Sequence, residues 1–253
     1  MNIILKFKNI WLAIIILILL WQSLVYIGGY EEALLPQPLT VLQALLELLH
    51  SGALYIHVQA SLYRFIVGYF LAAIPAIFFG VLLGRTKRLW AVASPIVQLL
   101  RPISPVAWSP FIVLWFGIGD MPAIIIISIA TFFPVLISTV KGMQSVDIHY
   151  LKIAENFEFN KWILFKKILF PAALPSIVGG LHIAVGTAWI FLVAGEMIGA
   201  QSGLGYLIVD ARNTLDLDYV LAGIIVIGIL GFLLDYLITL IEKVVKKYSG
   251  HYV

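Results

Sequence analysis

The chain has 253 residues, of which 62% are hydrophobic and 11% are charged, and it contains no cysteine. Soluble domains run nearer half apolar and a quarter charged, so this composition excludes an ordinary soluble enzyme and predicts a multi-span protein embedded in a lipid bilayer. Disulfide and thiol chemistry are excluded, and the net charge of +3 indicates no nucleic-acid surface, because the basic residues lie at the ends of apolar runs.

Six apolar runs are long enough to cross a bilayer. The first carries Trp11, Trp21 and Tyr26 near its ends, where interfacial anchors are expected. A cleaved signal peptide is the rival interpretation, and it is less favoured because no small-residue cleavage site follows. In chain order the predicted spans are Ile10–Ile27, Ser61–Gly84, Leu89–Gly119, Met121–Val140, Leu181–Ala200 and Tyr219–Ile241.

Two segments between these spans are predicted to lie outside the membrane. In Gly28–Ala60, the run Leu-Pro-Gln-Pro followed by Thr40 predicts a turn and a helix cap before a helix over Val41–His50. The second segment, Gln201–Asp218, is rich in charged residues and is predicted to be a polar loop.

The third apolar run is interrupted by prolines in the stretch RPISPVAWSP, residues 101–110. Irregular backbone at membrane depth is tolerated only where protein or a water-filled cavity surrounds it, so this stretch is a candidate lining of a transport path. Arg101 is costly there unless it is paired or faces water, and it suits an oxyanion. The alternative is an arginine that snorkels to the interface. The candidate path residues are Arg101, Pro102, Pro105, Trp108 and Glu196, with Glu196 also a candidate partner for Arg101.

The basic residues indicate the orientation. With six spans and both termini inside, all 16 lysines and arginines fall on the cytoplasmic side except Arg64, Arg101 and Arg212. The positive-inside bias therefore predicts cytoplasmic termini.

The segment Asp147–Gly180 is too polar to cross a bilayer, yet it keeps apolar residues at helical spacing. The pattern predicts two short amphipathic helices at the membrane face, followed by a start of the fifth span marked by Pro171 and Pro175. Lipid headgroups are one cover for such a stripe, and a groove on a partner protein is the other.

This segment resembles the cytoplasmic "EAA" loop of bacterial ABC-importer permeases, most closely in the nitrate, sulfonate and taurine branch of the binding-protein-dependent permeases. The family pattern runs Glu-Ala-Ala, then Gly, then Leu-Pro. Ile153 and Ala154 match the two alanines, and Leu174 with Pro175 matches the end of the pattern. Lys152 stands at the position of the family's Glu, and Glu158 at that of its Gly. The likeness extends from about residue 61 to residue 247.

The resemblance implies an all-α permease with six transmembrane helices and a cytoplasmic coupling loop, of the MetI-like type I importer fold. It implies a bacterial cell-membrane location and three kinds of partner: a cytoplasmic ABC ATPase, an extracytoplasmic binding protein and a second permease copy, as a homodimer. The binding protein is expected to meet Gly203–Tyr206 and the charged residues after it. The residues implied to dock on the ATPase are Lys152, Ile153, Ala154, Glu155, Glu158 and Trp162.

The resemblance also divides the chain into parts. Residues 1–60 form an N-terminal span with an external segment. Residues 61–247 form the permease domain with its coupling loop at 147–178, and residues 248–253 form a cytoplasmic tail.

The sequence offers no motif for energy conversion of its own. It contains no Gly-Lys dipeptide and hence no phosphate-binding Walker loop, and it contains no His-Glu-x-x-His metal motif. We therefore predict a subunit that is not an enzyme, without cofactor or metal, whose partner hydrolyses ATP.

The expected cargo is a nitrate, sulfonate or taurine-type anion. One alternative is a thiamine precursor or another heterocycle. A second is a stand-alone ion-coupled carrier, against which the scarcity of intramembrane carboxylates argues, since only Glu196 and Asp235 fall within predicted spans. A third is a membrane scaffold that transports nothing.

Overall fold

The computed structural model describes residues 3–29, 34–146, 156–157 and 159–248. These residues form helices joined by short turns, and no strand occurs among them. In chain order the helices are α1 (Ile3–Gly28), α2 (Pro38–His50), α3 (Ala53–Gly84), α4 (Lys87–Leu100), a 3₁₀ turn (Pro105–Trp108), α5 (Ser109–Phe116), α6 (Asp120–Gln144), α7 (Lys161–Leu164), a π-helical turn (Phe165–Leu169), α8 (Phe170–Gly199), α9 (Leu204–Thr214) and α10 (Leu217–Tyr248).

The helices supply the predicted number of membrane crossings. Four are long and apolar enough to span a bilayer: Ala53–Gly84, Asp120–Gln144, Trp162–Gly199 and Leu217–Lys247. The pair Lys87–Leu100 and Pro105–Phe116, bent by 78°, is together long and apolar enough for one further, broken crossing, which would be the third in chain order. Helix α1 has 26 residues, and at about 1.5 Å per residue it is roughly 39 Å long, enough for a sixth. The all-α prediction is confirmed, and these helices are sufficient for the six predicted crossings.

Helices α3, α6 and α8 form the centre of the bundle and approach one another at small residues. A Cβ atom built on Gly68 of α3 would lie 2.7 Å from the carbonyl oxygen of Ile124, and one on Gly84 would lie 2.7 Å from Met143 Cβ. These matched positions show that α3 and α6 run parallel. Gly180 of α8 faces Ser138 of α6 at similarly short range, and α8 runs antiparallel to both. Backbones this close are typical of membrane helices that pack through small residues.

Aromatic side chains attach α10 to this centre. The Trp189 ring meets Phe65 edge-on, with centroids 5.5 Å apart, and its Nε1 donates to the Ile227 carbonyl at 3.1 Å. The Tyr69 hydroxyl donates to the Leu181 carbonyl at 2.8 Å. Trp189 is thus a packing residue that joins α8 to α10.

A second apolar cluster lies at the far end of the bundle. It consists of Val41, Ala44 and Leu48 from α2, Leu54 from α3, Leu204 and Leu207 from α9, and Ala222 and Val226 from α10. Our prediction that Gln201–Asp218 is a polar loop is therefore wrong. Its apolar residues Leu204, Leu207 and Ala211 are buried and drive formation of α9.

The helix over Val41–His50 is confirmed, but the predicted cap at Thr40 is wrong. The helix begins earlier, with Gln37 at the N-cap and Pro38 in the first turn. A proline is favoured there because its missing N–H has no helical partner in any case.

The predicted start of the fifth span at Leu181, after a separate amphipathic helix, is also wrong. Trp162–Gly199 is one helical segment of 38 residues, with Pro171 in the first turn of α8 and Pro175 inside it. The π-helical turn Phe165–Leu169 precedes Pro171 and changes the hydrogen-bonding register there. The missing N–H of the proline therefore does not interrupt the helix. The predicted second amphipathic helix is accordingly the start of this segment, whereas most of the first lies outside the described residues. The expected domain division at residue 60 falls inside α3.

Candidate functional site

The two ends of the bundle differ in charge. We call the end where α3, α6 and α10 finish the basic end, and the opposite end, where α6, α9 and α10 begin, the acidic end. The basic end carries Arg85, Lys87, Arg88, Lys141, Lys166, Lys167, Lys243, Lys246 and Lys247. The acidic end carries Glu47, Asp120, Asp210, Asp216 and Asp218, with Arg212 among them.

A buried charged cluster joins four helices at the acidic end. We call it the Arg64 cluster, and it consists of Ser61, Arg64, Asp120, Glu196 and Ser202. Arg64 is 1% exposed, yet its guanidinium makes five contacts with four oxygen atoms at 2.6–2.8 Å. Nε and Nη2 contact Asp120, Nη1 contacts Glu196 and the Ser202 carbonyl, and Nη2 also donates to Ser202 Oγ. Four of these contacts are hydrogen bonds and the fifth, between Nη2 and Asp120, is an ion-pair contact, so each guanidinium nitrogen has a partner.

Glu196 is held as completely as Arg64. It is 1% exposed, and its carboxylate accepts from Arg64 at 2.8 Å, from the Gly205 amide at 2.9 Å and from the Ser61 hydroxyl. The Leu204 amide donates to Ser61 Oγ at 2.8 Å. Our suggestion that Glu196 pairs with Arg101 is wrong, because Arg64 is its partner.

Gly203 lets the α8–α9 turn close over this cluster. Its φ is +103°, and a Cβ there would overlap the Glu196 carboxylate and Arg64 Nη1. Its amide donates to His57 Nδ1 at 3.1 Å. Because Gly203, Leu204 and Gly205 are buried, a binding protein at this end would have to contact the residues around them.

A groove runs along α6 and α8 towards the basic end. The first part, which we call the Arg101 groove, has a volume of about 530 Å³ and lies against the bend between α4 and the 3₁₀ turn. The second part, the His182 groove, has a volume of about 610 Å³. Both share Ser138, Lys141 and Ile183, so the two parts are continuous.

The predicted path residues divide between these places. Arg101, Pro102 and Pro105 line the Arg101 groove. Trp108 packs beside Phe111, with ring centroids 6.4 Å apart, and Glu196 lies in the Arg64 cluster, so neither belongs to the described lining. The proline-broken stretch thus places its arginine, but not its tryptophan, on the cavity.

Sequence reasoning missed several residues that the structure brings together. Lys141, Ser138 and Thr187 line the Arg101 groove, and the available signal was a polar side chain within or beside an apolar run. Ser61 and Arg64 are three residues apart on α3 and share one helix face, which was a sign of joint burial.

The His182 groove contains a satisfied histidine. His182 Nδ1 lies 2.6 Å from Glu242 Oε2, and Nε2 lies 3.0 Å from Asp235 Oδ1. Lys246 Nζ pairs with the other oxygen of Glu242 at 2.7 Å.

The predicted ATPase-docking residues fall mostly outside the described part of the chain. Lys152, Ile153, Ala154, Glu155 and Glu158 are among the residues not described. Trp162 is described, and it is 68% exposed on α7, with its ring 6.1 Å from that of Phe165. Asn160 Oδ1 accepts from the Ile163 amide at 2.8 Å and so caps the helix that presents Trp162.

Sequence comparison places the chain among transport proteins. The family described as "Binding-protein-dependent transport system inner membrane component" matches residues 76–247. The chain is 36% identical to the putative aliphatic sulfonates transport permease protein SsuC of Bacillus subtilis, covering 94% of this chain and 86% of that protein. It is 33% identical to the taurine transport system permease protein TauC of Escherichia coli, covering 93% and 87%. It is 35% identical to the nitrate import permease protein NrtB of Synechocystis, covering 92% and 87%.

Solved structures support the fold. A chain of the MetNI methionine ABC transporter in an inward-facing conformation aligns with a TM-score of 0.66 at 20% identity, covering 75% of this chain and 94% of that one. A chain of an amino acid ABC transporter crystallised with histidines aligns with a TM-score of 0.53 at 15% identity, covering 78% and 92%.

Proposed function

The chain belongs to the binding-protein-dependent transport system inner membrane components, as a permease subunit of an ATP-binding-cassette importer, and from this premise we propose its solute, partners and orientation. The solute is a small oxyanion of the sulfonate, taurine or nitrate type. The observation that carries this proposal is the identity of 33–36%, over more than nine-tenths of the chain, to three permeases named for aliphatic sulfonates, taurine and nitrate. A permease for a heterocycle such as a thiamine precursor is the second candidate.

Two copies of the chain enclose the transport path. The groove along α6 and α8 is open on one side of the single chain, and large apolar side chains of α5 such as Leu114 and Trp115 are exposed. A two-fold pair would supply the missing wall from an identical surface.

A separate cytoplasmic ATPase drives the transport, since the sequence has no Walker loop. It docks on the segment 147–178 within the permease domain 61–247, through Lys152, Ile153, Ala154, Glu155, Glu158 and Trp162. The exposure of Trp162 at the basic end supports this surface. Residues 147–160 directly precede the long segment Trp162–Gly199 along the chain, so a movement of the docked segment would be passed to a helix of the core.

The basic end faces the cytoplasm, with both termini on that side of a bacterial cell membrane, because cytoplasmic ends of membrane helices are enriched in lysine and arginine. The acidic end then faces the extracytoplasmic binding protein.

Omitting one subunit at a time from proteoliposomes tests the proposal. The complete importer, purified with the ATPase and supplied with its binding protein, should accumulate labelled taurine, ethanesulfonate or nitrate only with ATP. Vesicles that contain only this chain should accumulate none. Uptake by the chain alone would instead identify an ion-coupled carrier, and uptake of a hydroxymethylpyrimidine but none of the anions would favour the second candidate.

A further inference from the structure

The lining of the Arg101 groove differs from the rest of the bundle in its polar groups. Two cationic side chains, Arg101 and Lys141, border it together with the hydroxyls of Ser104, Ser138 and Thr187. Its described lining contains no carboxylate. By contrast, the charged side chains of the Arg64 cluster are paired with one another at 2.7–2.8 Å.

The two cations have no partner among the described residues. Neither forms an ion pair or a side-chain hydrogen bond there, although both are exposed to the groove. The adjoining His182 groove, which Lys141 also lines, contains the acidic groups Asp235 and Glu242. His182 contacts both of these carboxylates, and Lys246 pairs with Glu242. Because neither carboxylate forms an ion pair with Lys141, the positive charge of Lys141 is available to a ligand in the Arg101 groove.

The serine hydroxyls also retain hydrogen-bonding capacity. Elsewhere in α6, the hydroxyls of Ser128, Thr131 and Thr139 donate to carbonyls of their own helix at 2.8–2.9 Å. Ser138 and Ser104 make no such bond with any described residue. Each has a donor to offer to a ligand in the groove.

We infer that the Arg101 groove is itself an oxyanion-binding site, in which Arg101 and Lys141 bind the solute on its way through the permease while Ser104 and Ser138 donate hydrogen bonds. This inference rests on the proposed function and adds to it a place where the permease holds the solute. A guanidinium and an ammonium match sulfonate or nitrate oxygens, and hydrogen bonds to charged acceptors are the stronger kind. A neutral heterocycle would leave two positive charges uncompensated in the closed path, which is costly.

Single-cysteine labelling measures the charge of the groove directly, since the native chain contains no cysteine. In the assembled complex, a Thr187→Cys variant is reacted with anionic sulfonatoethyl and cationic trimethylammonioethyl methanethiosulfonate. Once each rate is divided by that of the same reagent with a small thiol in solution, the anionic reagent should react about tenfold faster than the cationic one, because two unit charges act on reagents of opposite sign across a partly wet groove. Ethanesulfonate should slow the labelling. An Asn213→Cys variant at the acidic end is the control and should favour the cationic reagent.

Removing each cation identifies its contribution. Arg101→Met or Lys141→Met, added to Thr187→Cys, should each lower the ratio of anionic to cationic labelling about threefold, as half the potential is lost. Lys141→Arg should retain the ratio, and Lys243→Met, on α10 outside the groove lining, should not change it. After this normalisation, an anionic reagent no faster than the cationic one, or a ratio that neither Arg101→Met nor Lys141→Met changes, would overturn the inference.

Transport in the reconstituted importer separates this site from the proposed function. Arg101→Met and Lys141→Met should lower anion uptake about tenfold, the loss of one charge-assisted contact, while hydrolysis stimulated by the binding protein continues. If the wild-type importer moved no anion with ATP, the proposed function would fail, and the labelling ratio would still decide whether the groove attracts anions. Wild-type uptake that both variants retain in full would overturn the site alone.

Discussion

Arg64 illustrates how one buried charge can hold four helices in place. Its three guanidinium nitrogens contact α6, α8 and the turn before α9, and none of these contacts is local in sequence. Burying a guanidinium and a carboxylate is expensive, and only complete pairing offsets the desolvation of both. The Arg64 cluster therefore fixes the acidic end as one rigid unit.

Arg64→Met should destabilise the protein by about 3–5 kcal/mol, because Glu196 would remain buried with its charge uncompensated. A denaturant titration in mild detergent measures the free energy of unfolding. Arg101→Met is the matched control and should change it by less than about 0.5 kcal/mol, since that side chain is exposed. The double variant Arg64→Met with Glu196→Met should be more stable than Arg64→Met alone. Equal losses for Arg64→Met and Arg101→Met would contradict the role of the cluster.

Gly203 gives a second prediction at the scale of one residue. Gly203→Ala should cost more than about 1–2 kcal/mol, the price of a left-handed conformation for a residue with a Cβ, because that Cβ also meets Glu196 and Arg64. Gly228→Ala in α10, where no atom lies within 4 Å of the new Cβ, should instead be neutral or stabilising. Equal thermal midpoints for the two variants would show that the turn can relax.

Sequence analysis identifies a functional residue when its immediate neighbours along the chain make it unusual. Arg101 stands out because prolines surround it, and the structure places it on a cavity. Arg64 and Asp120 do not stand out, because their partners lie 56 or more positions away along the chain. No periodicity or spacing within a span reports such a contact.

The contacts between α6 and α8 depend on the absence of side chains at chosen turns. Gly180 faces Ser138, whereas its neighbour Gly179 has open space around a Cβ atom. Gly180→Ala should therefore destabilise the protein, and Gly179→Ala should not, although both substitutions raise helix propensity equally. Thermal unfolding of the two purified variants provides the comparison. A loss of stability for Gly179→Ala alone would mean that the helix faces are assigned incorrectly.

Prolines caused the main error in the helix boundaries that we predicted from the sequence. Pro171 and Pro175 favour a break, yet α8 continues through them, because a π-helical turn precedes the first and the packing of Ala173 and Ile177 on Met143 holds the helix. Helix α9 was missed because its charged residues conceal three buried apolar ones. In both cases tertiary packing overrode a local preference.

At the scale of the whole molecule, the charge of the two ends predicts a single orientation. Asn213→Cys, at the acidic end, should react with a membrane-impermeant thiol reagent in intact cells. Ser145→Cys, at the basic end, should react only after the cells are opened. The reverse pattern would mean that the acidic end faces the cytoplasm, which contradicts the proposed positions of the ATPase and the binding protein.

The class of the molecule was predictable from composition, because no soluble core can bury so much apolar surface, and the six crossings followed from the lengths of the apolar runs. The packing of those crossings was not predictable. It depends on pairs such as Gly180 with Ser138 and Arg64 with Glu196, in which the role of one residue is set by a partner that is distant along the chain. The bend between Lys87–Leu100 and Pro105–Phe116 was the exception, since Pro102 and Pro105 indicated it in the sequence.

Coupling between hydrolysis and transport provides the most direct test of the account, which holds that this chain is a path moved from its basic end by a separate ATPase. The measurement is solute accumulated for each ATP hydrolysed in proteoliposomes that hold the complete importer, with wild-type chain or with Ala154→Arg. We predict that Ala154→Arg abolishes accumulation while the ATPase subunit still hydrolyses ATP. Accumulation by Ala154→Arg at the wild-type rate would contradict it.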